Sequence, residues 1–382
     1  MSEMPLEMPL LSLGKFLSDA ASTPQTHPLP PEGTTERLKS ASMAAAIITW
    51  NEIDAARRRI AGVAVRTPLL RLDPARLRQA GLAKVDESAP VIYVKDESAQ
   101  PVGSFKLRGA YNKIAQLSAE QLQRGVITYS SGNHAQGVAY AARALGAKAV
   151  VVMPSNTPLV KRAATLALGA EVVVVGPAST ERRQRAEELS AKHGYTMVPP
   201  YDDPAIVAGQ ASCGVEIVEQ LPDVELVLSP VSGGGLLSGV AAGIKLQAEA
   251  AGVPSPQVWG CEPELAADAA ESFRTRSLVE WPAEKTTRTI CDGLRTQSLG
   301  NLNFELILRF VDGVVTVREE EIQTAMRILL ETASLVAEPS GAITLAAALF
   351  HAAELPKANK VAVILSGGNL DPECGALAKD NA

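Results

Sequence analysis

Short, apolar, β-branched runs punctuate the chain from Val91 onward, and longer segments rich in alanine, leucine and glutamate separate them. Val91–Val94, Ala149–Val152, Glu171–Val175 and Val258–Gly260 are examples. A strand that is apolar at nearly every position is covered on both faces. Helices that alternate with such strands supply that cover, which predicts an α/β fold with mainly parallel sheets flanked by helices. With 382 residues, 46% of them hydrophobic, the chain can bury a core for two domains or one large one.

Three of the strand-like runs end in glycine turns. Gly125–Tyr129 leads into Ser130-Ser131-Gly132-Asn133-His134-Ala135-Gln136-Gly137 and then a helical pattern from Val138 to Leu145. Leu226–Val231 leads into Ser232-Gly233-Gly234-Gly235-Leu236-Leu237-Ser238-Gly239, and Val361–Leu365 into Ser366-Gly367-Gly368-Asn369. Glycine lets a backbone approach a ligand, and N–H groups at a helix start bind anions. Each turn alone reads equally well as a tight connection between strand and helix. A fourth segment, Gly103-Ser104-Phe105-Lys106-Leu107-Arg108-Gly109-Ala110, places a lysine in a small, apolar turn before a helical pattern. Partial desolvation there lowers the amine pKa and frees it to attack a carbonyl. Most lysines are solvated surface residues, so it is the combination of the four segments that points to a site.

Together, in this order and at these separations, the four segments resemble the signatures of the fold-type II (tryptophan synthase β-like) pyridoxal-phosphate enzymes. The branch is the one that contains serine/threonine dehydratases and serine racemases, and the resemblance runs from about Trp50 to about Asp371. It implies a large cofactor-binding domain over 47–124 and 203–382, with a small domain over 125–202 inserted in it. It implies that Lys106 carries the cofactor and removes the substrate α-proton, and that Phe105 adjoins the cofactor. The backbone amides from Ser232 through Gly233, Gly234 and Gly235 to Leu236 would hold the phosphate; the loop has no lysine or arginine, so the amides and helix dipole would carry the anion. Asn133 would bind the ring 3-oxygen and Ser366 would face the ring nitrogen. A serine there, rather than an aspartate, leaves that nitrogen largely unprotonated and favours loss of a β-leaving group.

By the same resemblance, Ser130, Ser131, Asn133 and His134 grip the substrate carboxylate, with His134 a hydrogen-bonding or packing residue rather than a base. Ser131 stands where many dehydratases have alanine and the racemase-like branch has serine, which can deliver a proton to the opposite face of Cα; its plain alternative is a helix cap. Arg182 and Thr296 match substrate-side positions. Arg182 could pair with a second carboxylate, as on 3-hydroxyaspartate, or simply face solvent. Glu262, Ala266 and Asp268 match a site for Mg²⁺ or Ca²⁺ away from the chemistry; from the residues alone they read as a solvated helix start.

Other features narrow the functions. A net charge of -6 argues against a nucleic-acid footprint, and basic clusters such as Arg57-Arg58-Arg59 and Arg182-Arg183 sit in helical patterns with solvated faces. Cys213, Cys261, Cys291 and Cys374 are scattered without CxxC spacing, which fits a reduced, cytoplasmic protein without structural zinc or disulfides. No apolar run approaches a membrane span. Residues 1–46, rich in Pro, Ser, Thr and Met, are expected to be a disordered extension without signal- or transit-peptide character, and translation from Met43 is an alternative start. Pro101, Val102 and Leu168 replace nucleotide-site residues of the mammalian-type racemases, with only Gln136 retained, so ATP activation is not expected. Nor is an isoleucine-binding regulatory domain. The leading expectation is an ammonia-lyase for L-threonine and L-serine, as a homodimer. Serine racemase and threo-3-hydroxyaspartate ammonia-lyase are the alternatives within the family, and a non-catalytic cofactor-fold binding protein is the alternative outside catalysis.

Overall fold

The computed structural model describes residues 48–80, 89–157, 159–176 and 179–370. The extension expected over 1–46, and Cys374, lie outside the described residues. Two sheets organise the rest. The larger has the order β1-β2-β10-β7-β8-β9, formed by β1 (Leu69–Arg71), β2 (Val91–Asp96), β7 (Leu226–Pro230), β8 (Gln257–Pro263), β9 (Gly313–Val317) and β10 (Lys360–Leu365). The smaller has the order β5-β4-β3-β6, formed by β3 (Val126–Tyr129), β4 (Ala149–Pro154), β5 (Glu171–Val175) and β6 (Thr196–Met197). Every pairing is parallel except that of β1 with β2. The central strands β4 and β7 are buried at every position, as expected of apolar runs covered on both faces, and Ser229 of β7 is buried with them. The antiparallel edge β1, the two-residue β6 and the alternating edge strand β9 were not apparent in the sequence pattern. They are short or half-exposed, and their composition is not that of a doubly covered strand.

The helix Pro204–Gln220 starts sharply, because Asp203 accepts hydrogen bonds from the amides of Ala205 and Ile206 while Pro204 occupies the first turn. It is buried along most of its length and packs against the helix Gly235–Ala251. The two backbones touch: a Cβ on Gly243 would stand 2.5 Å from the carbonyl oxygen of Ala211, and one on Gly214 2.5 Å from that of Val240. Small residues at this crossing therefore seat both helices close beneath the large sheet.

An ion network joins the helix Lys106–Ile114 to this layer. The Arg108 guanidinium, fully buried, binds both oxygens of Glu97 at 2.7 and 2.8 Å and both oxygens of Glu216 at 2.7 and 2.8 Å. Lys95 Nζ, also buried, donates to Glu216 at 2.6 Å and to the Thr67 carbonyl at 2.8 Å. Two cations and two carboxylates thus balance inside the core, and most donors are engaged. Burial alone would raise the Glu97 carboxyl, but Arg108 and Lys95 outweigh it and hold the pKa below the usual carboxylate range. The network anchors the helix whose first residue is Lys106.

Candidate active site

A cleft of about 1100 Å³ opens where the connections following the strands of both sheets converge. At its floor, the Lys106 turn and the Ser366 turn are laced together. Phe105 N donates to Ser366 O at 3.1 Å, Gly368 N donates to Gly103 O at 3.0 Å, and Ser104 and Gly367 form an antiparallel bridge. Leu107, Ala110 and Ile114 bury the next helix, leaving Lys106 half-buried at the cleft. Its ammonium donates to the Pro200 carbonyl at 2.9 Å and lies 5.1 Å from the centre of the Phe105 ring. Burial lowers its pKa to about 8, against the opposing pull of Glu338. An amine near 8 is a usable nucleophile and base at physiological pH.

Two helix starts point into the same cleft. The helix Gly235–Ala251 begins without a side-chain cap, preceded by Gly234 at φ +94. The first-turn N–H groups of a helix lack partners within it, so this end presents positive dipole and free donors. The loop is closely packed: a Cβ on Gly233 would sit 2.5 Å from the Tyr201 ring, and one on Gly234 2.8 Å from Asn303 Cβ. Asn303 Nδ2 also donates to Gly233 O at 2.8 Å, and Ser232 Oγ and Thr296 Oγ1 share a 2.7 Å hydrogen bond at the loop's edge. The second start, at Asn133–Ala144, likewise lacks a side-chain cap, and Ser130 Oγ instead accepts from Gly132 N at 3.3 Å. Ser131 therefore does not act as the cap of this helix.

Phe105, Lys106, Ser130, Ser131, Asn133, His134, Arg182, Ser232–Leu236, Thr296 and Ser366 all line this one cleft. His134 is buried behind it, with Nε2 3.0 Å from the Val198 carbonyl; burial and the neighbouring Lys106 push its pKa down to about 3, so it is a neutral ring held by one hydrogen bond. Arg182 is half-buried rather than solvated, with burial lowering its pKa against the pull of Tyr129. Ser366 Oγ donates to Ser340 O at a long 3.3 Å. Glu338 and Tyr201 also line the cleft, and the sequence offered only a lone Glu-Pro step and a tyrosine among prolines to mark them.

Glu262, Ala266 and Asp268 lie elsewhere, in β8, the turn that follows it and the first residue of the helix Asp268–Thr275. Both carboxylates are buried, which overturns the solvated alternative. Glu262 accepts from the amides of Ala269 and Ala270 at 3.0 and 2.7 Å, while Asp268 Oδ2 is buried without a hydrogen-bond partner. Burial raises both carboxyls, and for Glu262 the nearby Asp268 charge adds to it. Among the described residues, no group of three or more His, Cys, Asp or Glu side chains gathers in a metal-binding cluster.

A lysine of lowered basicity, two open helix starts and a glycine-walled loop meet in one cleft, an arrangement suited to carbonyl–amine chemistry on a phosphate-bearing group. Residues 60–367 match the family model of pyridoxal-phosphate dependent enzymes, and the chain belongs to that family. It is 42% identical to an L-threonine ammonia-lyase of Thermotoga maritima over 325 residues, which are 85% of this chain and 76% of that protein. It is 38% identical to an L-threo-3-hydroxyaspartate ammonia-lyase of Saccharomyces cerevisiae over 286 residues, 75% of this chain and 85% of that one. Among solved structures, maize serine racemase superposes with a TM-score of 0.78 at 32% identity, covering 88% of this chain and 98% of the other.

Proposed function

We propose that the protein is an ammonia-lyase that converts L-threonine to 2-oxobutanoate and ammonia, and L-serine to pyruvate and ammonia. The observation that carries this reading is the meeting of Lys106 with two uncapped helix starts in one cleft. The residues fit pyridoxal phosphate: the Ser232–Leu236 amides would take its phosphate, Asn133 and Ser366 its ring, and Lys106 its aldehyde. When bound, that group supplies an electron-withdrawing ring that acidifies the bond to the substrate α-hydrogen. As a free amine in the cleft, Lys106 Nζ would accept that proton, and the β-hydroxyl would take up a proton and depart as water. The Ser130–His134 segment orients the substrate carboxylate through its amides, which fixes the α-hydrogen toward Lys106. Ser366, a neutral hydroxyl, places no negative charge at the ring nitrogen and so favours departure of the β-group over a long-lived carbanion. The domain reading is 47–124 with 203–382, and 125–202 inserted between them, with a homodimer as the assembly.

A second reading draws on Ser131 and Arg182. Ser131 sits in the cleft without a capping role and can serve as a proton donor to the face opposite Lys106, which is what racemisation needs. Arg182, half-buried in the same cleft, suits a second carboxylate. Purified protein with pyridoxal phosphate is to be assayed on L-threonine, L-serine, D-serine and threo-3-hydroxyaspartate, reading both 2-oxoacid and enantiomer. Rapid 2-oxobutanoate from L-threonine supports the first reading. Oxaloacetate outrunning the rest, lost selectively in Arg182→Ala, would replace it with the hydroxyaspartate lyase. D-serine formation lost in Ser131→Ala, with elimination kept, would mark a racemase.

The buried Glu262–Asp268 pair favours a Mg²⁺ or Ca²⁺ ion near Ala266, because the unpartnered Asp268 oxygen needs a proton or a cation. Millimolar Mg²⁺ or Ca²⁺ should raise the melting temperature at pH 8 relative to chelator, and Asp268→Asn should abolish that gain. An equal melt with and without the ions would remove them from the account.

A further inference from the structure

A chain of side-chain hydrogen bonds runs along the wall of the cleft and ends on Glu338. Asn369 Nδ2 donates to the Val102 carbonyl at 2.8 Å and to Asn133 Oδ1 at 2.8 Å. A backbone carbonyl can only accept, so it fixes which end of the Asn369 amide is nitrogen. Asn369 in turn fixes the Asn133 oxygen toward itself. The Asn133 nitrogen then faces Glu338 and donates to its Oε1 at 2.7 Å. An amide nitrogen carries two hydrogens. With one engaged by Glu338, the other remains for the cleft that Asn133 lines.

Two glycines of the signature turns make room for this chain. A Cβ on Gly103, at φ +68, would lie 2.4 Å from Asn369 Oδ1. A Cβ on Gly367 would lie 2.6 Å from Glu338 Oε1 and 3.2 Å from Asn133 Nδ2. Glu338 itself is tied down, since its amide donates to Gly367 O at 3.1 Å and its side chain is buried. Burial and nearby Asp292 push its carboxyl up to about 8, against Lys161, Asn133 and Lys106. In either protonation state it keeps an oxygen that can accept from Asn133.

We propose that Glu338 is a positioning residue that, with Asn369, locks the Asn133 amide so that it offers a donor, never an acceptor, to the ring oxygen of the cofactor. The inference rests on the cofactor reading above and assigns Glu338 a part in it that acts through Asn133. A glutamine at 338 would present an amide oxygen in the same place and preserve the lock, whereas an alanine would free the Asn133 amide to turn.

The test uses full-length protein, stripped of cofactor and titrated with pyridoxal phosphate, reading affinity and the position of the visible absorbance band. Glu338→Gln should match the wild-type band, with affinity within about threefold. Glu338→Ala and Asn133→Ala should each displace the band and weaken affinity by about tenfold or more. The double variant Glu338→Ala/Asn133→Ala should be no weaker than Asn133→Ala alone, because both act through one amide. Additive losses in the double variant, or an unchanged band in Glu338→Ala, would overturn the proposal. If Glu338→Ala does not fold, Asn369→Ala removes the lock from its other side and must show the same band displacement and the same non-additivity with Asn133→Ala. Wild-type protein that develops no visible band would instead remove the cofactor reading itself, and this proposal with it.

Discussion

Lys106→Ala is expected to lower turnover of every amino-acid substrate by about a thousandfold or more, while leaving the fold intact. The side chain is half-buried, its ammonium donates to the Pro200 carbonyl and lies over the Phe105 ring, and the packing of its helix rests on Leu107, Ala110 and Ile114. Removing the amine should therefore abolish turnover and disturb little else. Borohydride should fix pyridoxal phosphate covalently to the wild type and not to the variant, with mass spectrometry as the readout. The pH dependence follows from the lowered basicity. A lysine with a pKa near 8 is mostly protonated at pH 7 and mostly free amine at pH 9. Capture of pyridoxal phosphate by the stripped protein should therefore accelerate as pH rises through about 8 and level off above it. Full turnover in Lys106→Ala, or a capture rate that is flat between pH 7 and 9, would contradict this account.

Arg108→Ala should produce the largest loss of stability, about 3–5 kcal/mol in a denaturant titration. The guanidinium is fully buried between Glu97 and Glu216, which it binds through four hydrogen bonds. Without it, Glu97 is left with no buried counter-ion in direct contact, and Glu216 is left with Lys95 alone. The cost is that of stranded charge rather than of lost attraction, so Arg108→Ala combined with Glu97→Gln should recover part of the loss. Arg108→Lys should recover less, since an ammonium cannot span two carboxylates as a planar fork does. A loss under about 1 kcal/mol for Arg108→Ala would show that the network contributes nothing to folding. Because the same helix begins at Lys106, loss of the network should also weaken cofactor binding.

The four signature segments were legible in the sequence because each combines a short-range pattern with an unusual residue. A buried strand is written in consecutive apolar residues, and a glycine turn before a helix is a local statement about backbone geometry. That is why Lys106, Ser232–Leu236 and Ser366 could be nominated before any fold was known; the packing of the sheets then brings all of them to one cleft. Glu338 was not legible in this way. A glutamate before a proline at the start of a helix is an ordinary surface feature. Only packing places it against Asn133, 205 residues away in the chain, and buries it. The same holds for Asn369, which the sequence marked as part of a turn but not as the partner of Val102 and Asn133.

Glu262 and Asp268 show the reverse error of local reading. Their neighbourhood looked like a solvated helix start, yet both are buried: Glu262 in β8, and Asp268 at the first residue of the helix Asp268–Thr275 that follows it. Arg182 stands in a helix whose charged composition reads as an exposed face, but it lies at the rim of the cleft and is half-covered. Local sequence by itself determined the α/β class and the parallel strands and singled out the lysine that lines the cleft, because backbone geometry and desolvation of short apolar runs depend on near neighbours. The tertiary structure alone decided which polar groups are buried, how Lys106 acquires its basicity and which way the Asn133 amide faces. Those properties depend on dielectric and hydrogen-bond partners supplied by residues far apart in the chain, brought together only when the sheets pack.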